Sequence, residues 1–258
     1  MGLKIIVCIK SVIINAPAGK SRRSVENCVL NPFDRPALEL ALNLREENSG
    51  NVTVLSMGPD ASESALLETI AMGADKAVLL NDSALAGSDT LATSKALCAA
   101  LTTLDTFDLL LFGTRTADSD TGQVGPQTAV GLNLPLVTRA RSVNVQKDRL
   151  FVTRRLDGMV EEFEATLPAA LTIHPKAVKA RDIELGGIES AYQKSKIKRI
   201  SLKDIGLSPN DVGDTGSPTK VISMKRATQK RECEMLSGTV ENQAAYLLEK
   251  LISSGLIK

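Results

Sequence analysis

The chain has 258 residues, 43% of them hydrophobic, with 31 Lys and Arg set against 30 Asp and Glu. That length carries one good core and a smaller appendage, and the even charge balance argues against nucleic-acid binding through a basic face. The absence of Trp, two Tyr, four scattered cysteines and a single histidine, His174, leave no platform for stacking bases and no metal-ligand spacing, and they point to a reducing compartment.

The opening apolar run, Leu3 to Ile9, reads as a buried strand, too short for a signal sequence or a membrane span, so a soluble cytoplasmic protein is expected. A helix follows from Pro36 to Arg45, with proline suited to its first turn. Asn51 to Met57 reads as a second strand, closed by Gly58-Pro59, and Ser62 to Met72 as a second helix. Lys76 to Leu80 is a third strand, Ser88 to Leu104 a third helix, Phe107 to Phe112 a fourth strand, and Thr121 to Gly131 a short helix opening on a loop. This alternation predicts a doubly wound α/β fold, a parallel sheet with helices on both faces. After Pro135 the pattern changes. Leu150 to Leu156 and Met159 to Leu167 flank Asp157-Gly158, a hairpin turn signal, and Pro168 to Ile173 is one more strand. From about Lys176 the chain turns polar and loop-like, and the run Lys194, Lys196, Lys198, Arg199 reads as a solvated face. An amphipathic helix from about Glu241 to Ile252 ends the chain.

Neither a P-loop nor a G-x-G-x-x-G fingerprint is present: Gly19-Lys20-Ser21 has Ile14 where the upstream glycine is required. The informative stretch runs from Gly113 to Pro126, at the carboxyl end of the fourth strand, where doubly wound folds bind ligands. Amide groups at the start of the following helix suit a phosphate, with the helix dipole adding about 0.3–1 kcal/mol. Gly122 and Gly125 permit close backbone approach, and Thr121 and Gln123 supply hydrogen bonds. Asp118 and Asp120 fit capping, loop bracing or a ribose hydroxyl. Nucleotide binding and a capped helix with a decorated loop stand as equal readings of these residues. Asn31-Pro32-Phe33-Asp34 reads as a turn before the first helix, and Cys8 as a small buried hydrophobe. No nucleophile, base and oxyanion set assembles, and no catalytic or metal residue is assigned.

Several stretches together resemble the electron transfer flavoprotein beta family: Val7-Cys8-Ile9-Lys10, Asn31 to Asp34, Ser56-Met57-Gly58-Pro59, Met72-Gly73-Ala74-Asp75, Asp120 to Pro126, and Thr166-Leu167-Pro168-Ala169. The likeness covers nearly the whole chain in order. It implies an adenine-nucleotide-binding, Rossmann-like sheet with an added β-hairpin and an extended C-terminal arm. The expected division is 1–199 for the nucleotide-binding domain and 200–258 for an arm that packs on an alpha subunit. Carried over residue by residue, the nucleotide contacts are Cys8, Asn31, Pro32, Phe33, Asp34, Met57, Gly113, Arg115, Thr116, Asp118, Asp120, Thr121, Gly122, Gln123, Val124 and Gly125. The family's partner-recognition loop looks like Arg181 to Ala191, with its protruding leucine at Leu185. The implied role is an electron-transfer subunit of a flavin-dependent oxidoreductase complex, beside the alpha subunit and a flavin dehydrogenase of the acyl-CoA type. Val124 (Thr in the respiratory form) and the run Gly87 to Thr93 resemble the electron-bifurcating members. There the beta subunit holds FAD rather than structural AMP, NADH reduces it, and ferredoxin or flavodoxin accepts the low-potential electrons. The segment Ser11 to Leu30 is shorter and more basic than usual, and Ser119 stands where many bifurcating members have Gly. A homodimeric nucleotide sensor of the universal-stress type is the rival from another class.

Overall fold

Strand β1, Leu3–Ile9, is buried along almost its whole length. Its side chains alternate between two cores, Ile5, Val7 and Ile9 entering one, Ile6 and Cys8 the other. A strand that is apolar on both faces needs cover above and below. The computed structural model, which describes residues 2–13, 24–193, 197–223 and 233–257, supplies it. The antiparallel pair β2 (Ser11–Ile13) and β3 (Cys28–Leu30) leads to α1 (Arg35–Asn48), β4 (Gly50–Met57), α2 (Glu63–Ala71) and β5 (Lys76–Leu80). Then come α3 (Thr90–Thr103), β6 (Leu109–Gly113), α4 (Val124–Gly131) and β7 (Leu136–Gln146). Strands β8 (Arg149–Leu156), β9 (Met159–Thr166) and β10 (Ala169–Ile173) follow. Helix α5 (Leu185–Gln193), strand β11 (Ile197–Ile200), the one-turn α6 (Gly213–Gly216) and α7 (Val240–Ser253) complete the order.

Nine strands form one sheet in the order β11-β5-β4-β1-β6-β10-β7-β8-β9. Neighbours from β11 through β7 run parallel; β7, β8 and β9 run antiparallel. Helices α1 and α2 cover one face through Leu38, Leu42, Leu66 and Ile70. Helices α3 and α4 cover the other through Ala96, Leu97, Leu101 and Ala129. The fold is therefore the expected doubly wound α/β sheet. From β1 the chain steps to β4 and β5, then returns past β1 to β6. Strand order reverses between β1 and β6, the place where such sheets bind ligands. The hairpin also forms as expected, with positive φ at both turn residues, Asp157 (49°) and Gly158 (83°).

Several segments that the sequence pattern leaves without an element, or marks as loop, form regular elements. Strand β7 is eleven residues long. Helix α5 occupies most of the expected recognition loop. Its Gly187 is there because a Cβ would collide with the Ala71 carbonyl of α2, so the glycine serves close helix packing rather than a turn. Strand β11 pairs with β5, with Lys198 and Arg199 exposed on it as the solvated reading expects; Arg199 pairs with Asp60 and Glu63. Lys194 and Lys196 lie outside the described residues, as do 14–23.

The chain divides into two compact units, Met1–Lys220 and Val221–Lys258. The first runs some way past the expected boundary at 199, because Ile200, Leu202, Ile205 and Val212 are buried in the core shared with α3. Ser217 Oγ accepts the Asp89 amide, and Asp89 accepts the Thr219 amide, so the segment is pinned to the start of α3. In the second unit α7 is capped by the Thr239 side chain and buries none of its residues; Leu247, Leu248 and Ile252 are exposed.

Candidate functional site

The carboxyl ends of β1 and β6 lie side by side, with Cys8 opposite Phe112. Asn31 and Asp34, both buried, lock this edge. The Asn31 amide nitrogen donates to the Arg115 carbonyl at 2.9 Å, and its oxygen accepts from the Ala117 amide at 3.2 Å. Asp34 accepts the Lys10 amide at 2.8 Å. Burial pushes its carboxyl up to about 7, against the hydrogen bonds from the Lys10 amide, Asn31 and the Gly113 amide. A side chain at Gly113 would strike the Asp34 carboxylate and the Phe33 carbonyl, so glycine here is what lets the turn cross the end of β6. The polar atoms of Asn31 and Asp34 are thus engaged with the protein itself and hold the loop after β6 in place.

That loop, residues 114–123, carries two left-handed residues, Asp120 (φ 53°) and Gly122 (φ 63°). A Cβ at Gly122 would come within 2.9 Å of the Thr114 carbonyl, and left-handed backbone favours glycine in any case. Asp118 pairs with Lys10 at 2.8 Å and Asp120 with Arg115 at 3.2 Å, so loop bracing is the role the structure gives both carboxylates. The Arg115 guanidinium lies over the Phe33 ring, 4.4 Å from its centroid. The Thr116 and Ser119 hydroxyls are 2.9 Å apart. Thr90, at the start of α3, donates its hydroxyl to the Gln123 side chain at 2.8 Å, which ties the first turns of α3 and α4 together. Gly125 is buried, and a Cβ there would press on Phe112 and Thr172 at 3.1–3.2 Å. Its smallness serves the seating of α4 on β6 and β10.

Beside the loop a cleft of about 630 Å³ opens along the carboxyl edge of the sheet. One side is lined by Phe33, Thr114, Arg115, Asp120, Gly122 and Pro126. The other side is lined by Thr138, Arg139, Thr172, His174, Pro175 and Lys176. Of the residues expected from sequence, Phe33, Arg115, Asp120 and Gly122 face this cleft directly. Cys8 and Met57 belong to the α3-side core instead. Burial pushes the Cys8 thiol well above its usual range, with the Asp34 and Cys98 charges adding to the effect, so it remains a neutral thiol. Pro32 and Thr121 are exposed, and Val124 opens α4. The entire second wall was missed. Its available signals were Thr172, a polar residue in the apolar run of β10, and His174, the lone histidine. Among the described residues no cluster of His, Cys, Asp and Glu suits a metal ion, and no helix is long and apolar enough to cross a membrane.

Comparison with known proteins agrees with this geometry. The electron transfer flavoprotein domain model matches residues 22–204. "Electron transfer flavoprotein subunit beta" of Thermoanaerobacterium thermosaccharolyticum is 40% identical over 229 residues, covering 89% of this chain and 88% of that one. "Caffeyl-CoA reductase-Etf complex subunit CarD" of Acetobacterium woodii is 37% identical over 99% of this chain and 100% of its own length. "Protein FixA" of Bradyrhizobium diazoefficiens is 34% identical over 95% and 90%. A doubly wound sheet, matched nearly end to end by such relatives, places the chain in the electron transfer flavoprotein family, on the beta-subunit side.

Proposed function

We propose that this chain works as the beta half of a heterodimeric electron carrier and holds FAD, rather than structural AMP, in the cleft at its sheet edge. The observation that carries this reading is the reach of the cleft. It extends from the Phe33 turn and the β6 loop across β10 to β7. Neighbouring strands lie about 4.8 Å apart, so β1 and β7, three places apart, are separated by roughly 14 Å. A ligand with its adenylate end at the β1–β6 switch point would leave the far wall empty if it were a mononucleotide, and would reach it if it were a dinucleotide. The volume is in the range of pockets that enclose a sizeable organic ligand.

The residues present fit such a ligand. The Gly122 backbone and the first turn of α4 offer amides for one phosphate of a diphosphate, and the Phe33–Arg115 pair offers a flat surface. A flavin supplies the redox chemistry when bound; the protein contributes position, electrostatics and exclusion of water. The alpha subunit is the proposed partner for the unburied apolar face of α7, and an acyl-CoA-type dehydrogenase for the exposed Leu185. NADH is the proposed reductant, with ferredoxin or flavodoxin as low-potential acceptor in an electron-bifurcating cycle. The family assignment sets aside the homodimeric sensor. The test is anaerobic: heterodimer, NADH, ferredoxin and the partner dehydrogenase with an enoyl-CoA, the oxidised form of its substrate, as the high-potential electron acceptor. Ferredoxin reduction that depends on the enoyl-CoA is expected. Ferredoxin left oxidised while the dehydrogenase turns over would refute bifurcation.

A further inference from the structure

The far wall of the cleft carries an unusual concentration of unpaired positive charge. Between Leu171–Val137 and Ile173–Ala140 the β10–β7 register slips, so Thr138 and Arg139 together face the single residue Thr172. This is a β-bulge, and bulges re-aim side chains beside binding sites. Arg139 adopts φ 59°, a left-handed conformation that an arginine takes only at some cost. Its amide donates to Thr172 Oγ1 at 2.9 Å. Its side chain, like those of Arg141 and Lys176, is exposed, and among the described residues none of the three has an ion-pair partner. Asp120, on the opposite wall, is already paired with Arg115.

His174 sits among these cations. Burial and then the charges of Arg141, Arg139 and Lys176 hold it below its usual range, so the imidazole is neutral at pH 7. A neutral imidazole has one acceptor nitrogen. Two donors approach it: the Lys176 amide lies 3.0 Å from Nδ1 and the Arg141 guanidinium 3.4 Å from Nε2. The shorter bond assigns Nδ1 as acceptor and the proton to Nε2. The Nε2–H and the Arg141 guanidinium are then two donors facing each other with no acceptor between them. An anion resolves that mismatch and offsets the charge of three unpaired cations; guanidinium forks suit phosphate oxygens in particular.

We propose that Arg139, Arg141, Lys176 and the Nε2–H of His174 form a diphosphate-binding subsite at the β7–β10 end of the cleft. The inference rests on reading the cleft as a nucleotide site. The diphosphate has two possible sources, the dinucleotide resident in the cleft or a nicotinamide dinucleotide arriving as reductant, and both present the same chemistry.

The test uses the purified alpha–beta heterodimer, wild type and with Arg139→Gln, Lys176→Gln, Arg139→Lys or Arg139→Gly. Two readouts are taken: retention of the resident nucleotide through prolonged dialysis, and calorimetric titration of the loaded heterodimer with ADP and with inorganic pyrophosphate at low and high salt. Arg139→Gln and Lys176→Gln are expected to weaken one of these at least tenfold, Arg139→Lys much less, and wild-type binding should fall with salt. Lost retention assigns the subsite to the resident dinucleotide. Intact retention with weakened ADP and pyrophosphate binding assigns it to the incoming one. Arg139→Gly relieves the left-handed backbone and should raise the melting temperature while reproducing the binding loss, which a purely structural arginine would not do. Wild-type behaviour of Arg139→Gln and Lys176→Gln in both assays overturns the subsite. A wild-type heterodimer whose beta chain holds no nucleotide, even after reconstitution, overturns the reading of the cleft itself.

Discussion

Asp34 shows how a single buried group organises the binding edge. Its carboxylate bridges the chain leaving β1, through the Lys10 amide, to the end of β6, through the Gly113 amide. Burial raises its pKa from 3.8 to about 7, so between those values the folded protein holds a proton that the unfolded chain releases. Stability from this residue is full below about pH 4 and is lost as the pH rises towards 7. A tenfold change in proton affinity corresponds to about 1.4 kcal/mol, which bounds the effect at roughly 4 kcal/mol. Asp34→Asn removes the titration. The melting temperature of the wild-type heterodimer, taken relative to that of Asp34→Asn, is expected to fall between pH 4.5 and pH 7.5. Parallel pH profiles for the two proteins would contradict the account.

Helix α5 carries the exposed apolar stripe of the first unit. Leu185 opens the helix with 83% of its surface exposed, and Ile188 and Tyr192 follow at helical spacing, also exposed. The approach to α5 is anchored by Arg181, which grips the buried Glu39 of α1 through its amide and guanidinium at 2.9–3.2 Å and pairs with Glu46. The stripe is thus presented from a fixed base. Burying a leucine is worth about 1.5–3 kcal/mol. Leu185→Ala should therefore raise the KM for the partner dehydrogenase about tenfold or more, with nucleotide content unchanged. Wild-type electron-exchange kinetics would rule out Leu185 as an anchor. The sequence showed Leu185 but not its helix, because Gly186-Gly187 looks like a turn until Ala71 is placed beneath it. Strand β7 was hidden for a related reason. Its bulge puts Val137 and Ala140 in the core three residues apart, which breaks the two-residue period by which strands are recognised. With β7 unread, the second wall of the cleft could not be seen. Parallel strands such as β1, β5 and β6 were legible because burial on both faces leaves uninterrupted apolar runs.

Across the whole molecule, the first unit places the cleft at the switch point of the sheet and ends in a segment pinned over the start of α3. The second offers an amphipathic helix none of whose residues is buried. A helix of that kind gains its stability from packing on a partner, in keeping with a chain that works beside an alpha subunit. On the proposed reading, the two parts of the cleft, a braced glycine loop after β6 and a cationic wall at β7 and β10, are spanned by one dinucleotide. The most direct measurement is to denature the purified alpha–beta heterodimer and identify the released nucleotides by chromatography. Two FAD and no AMP per heterodimer is the predicted result; one FAD with one AMP would contradict it.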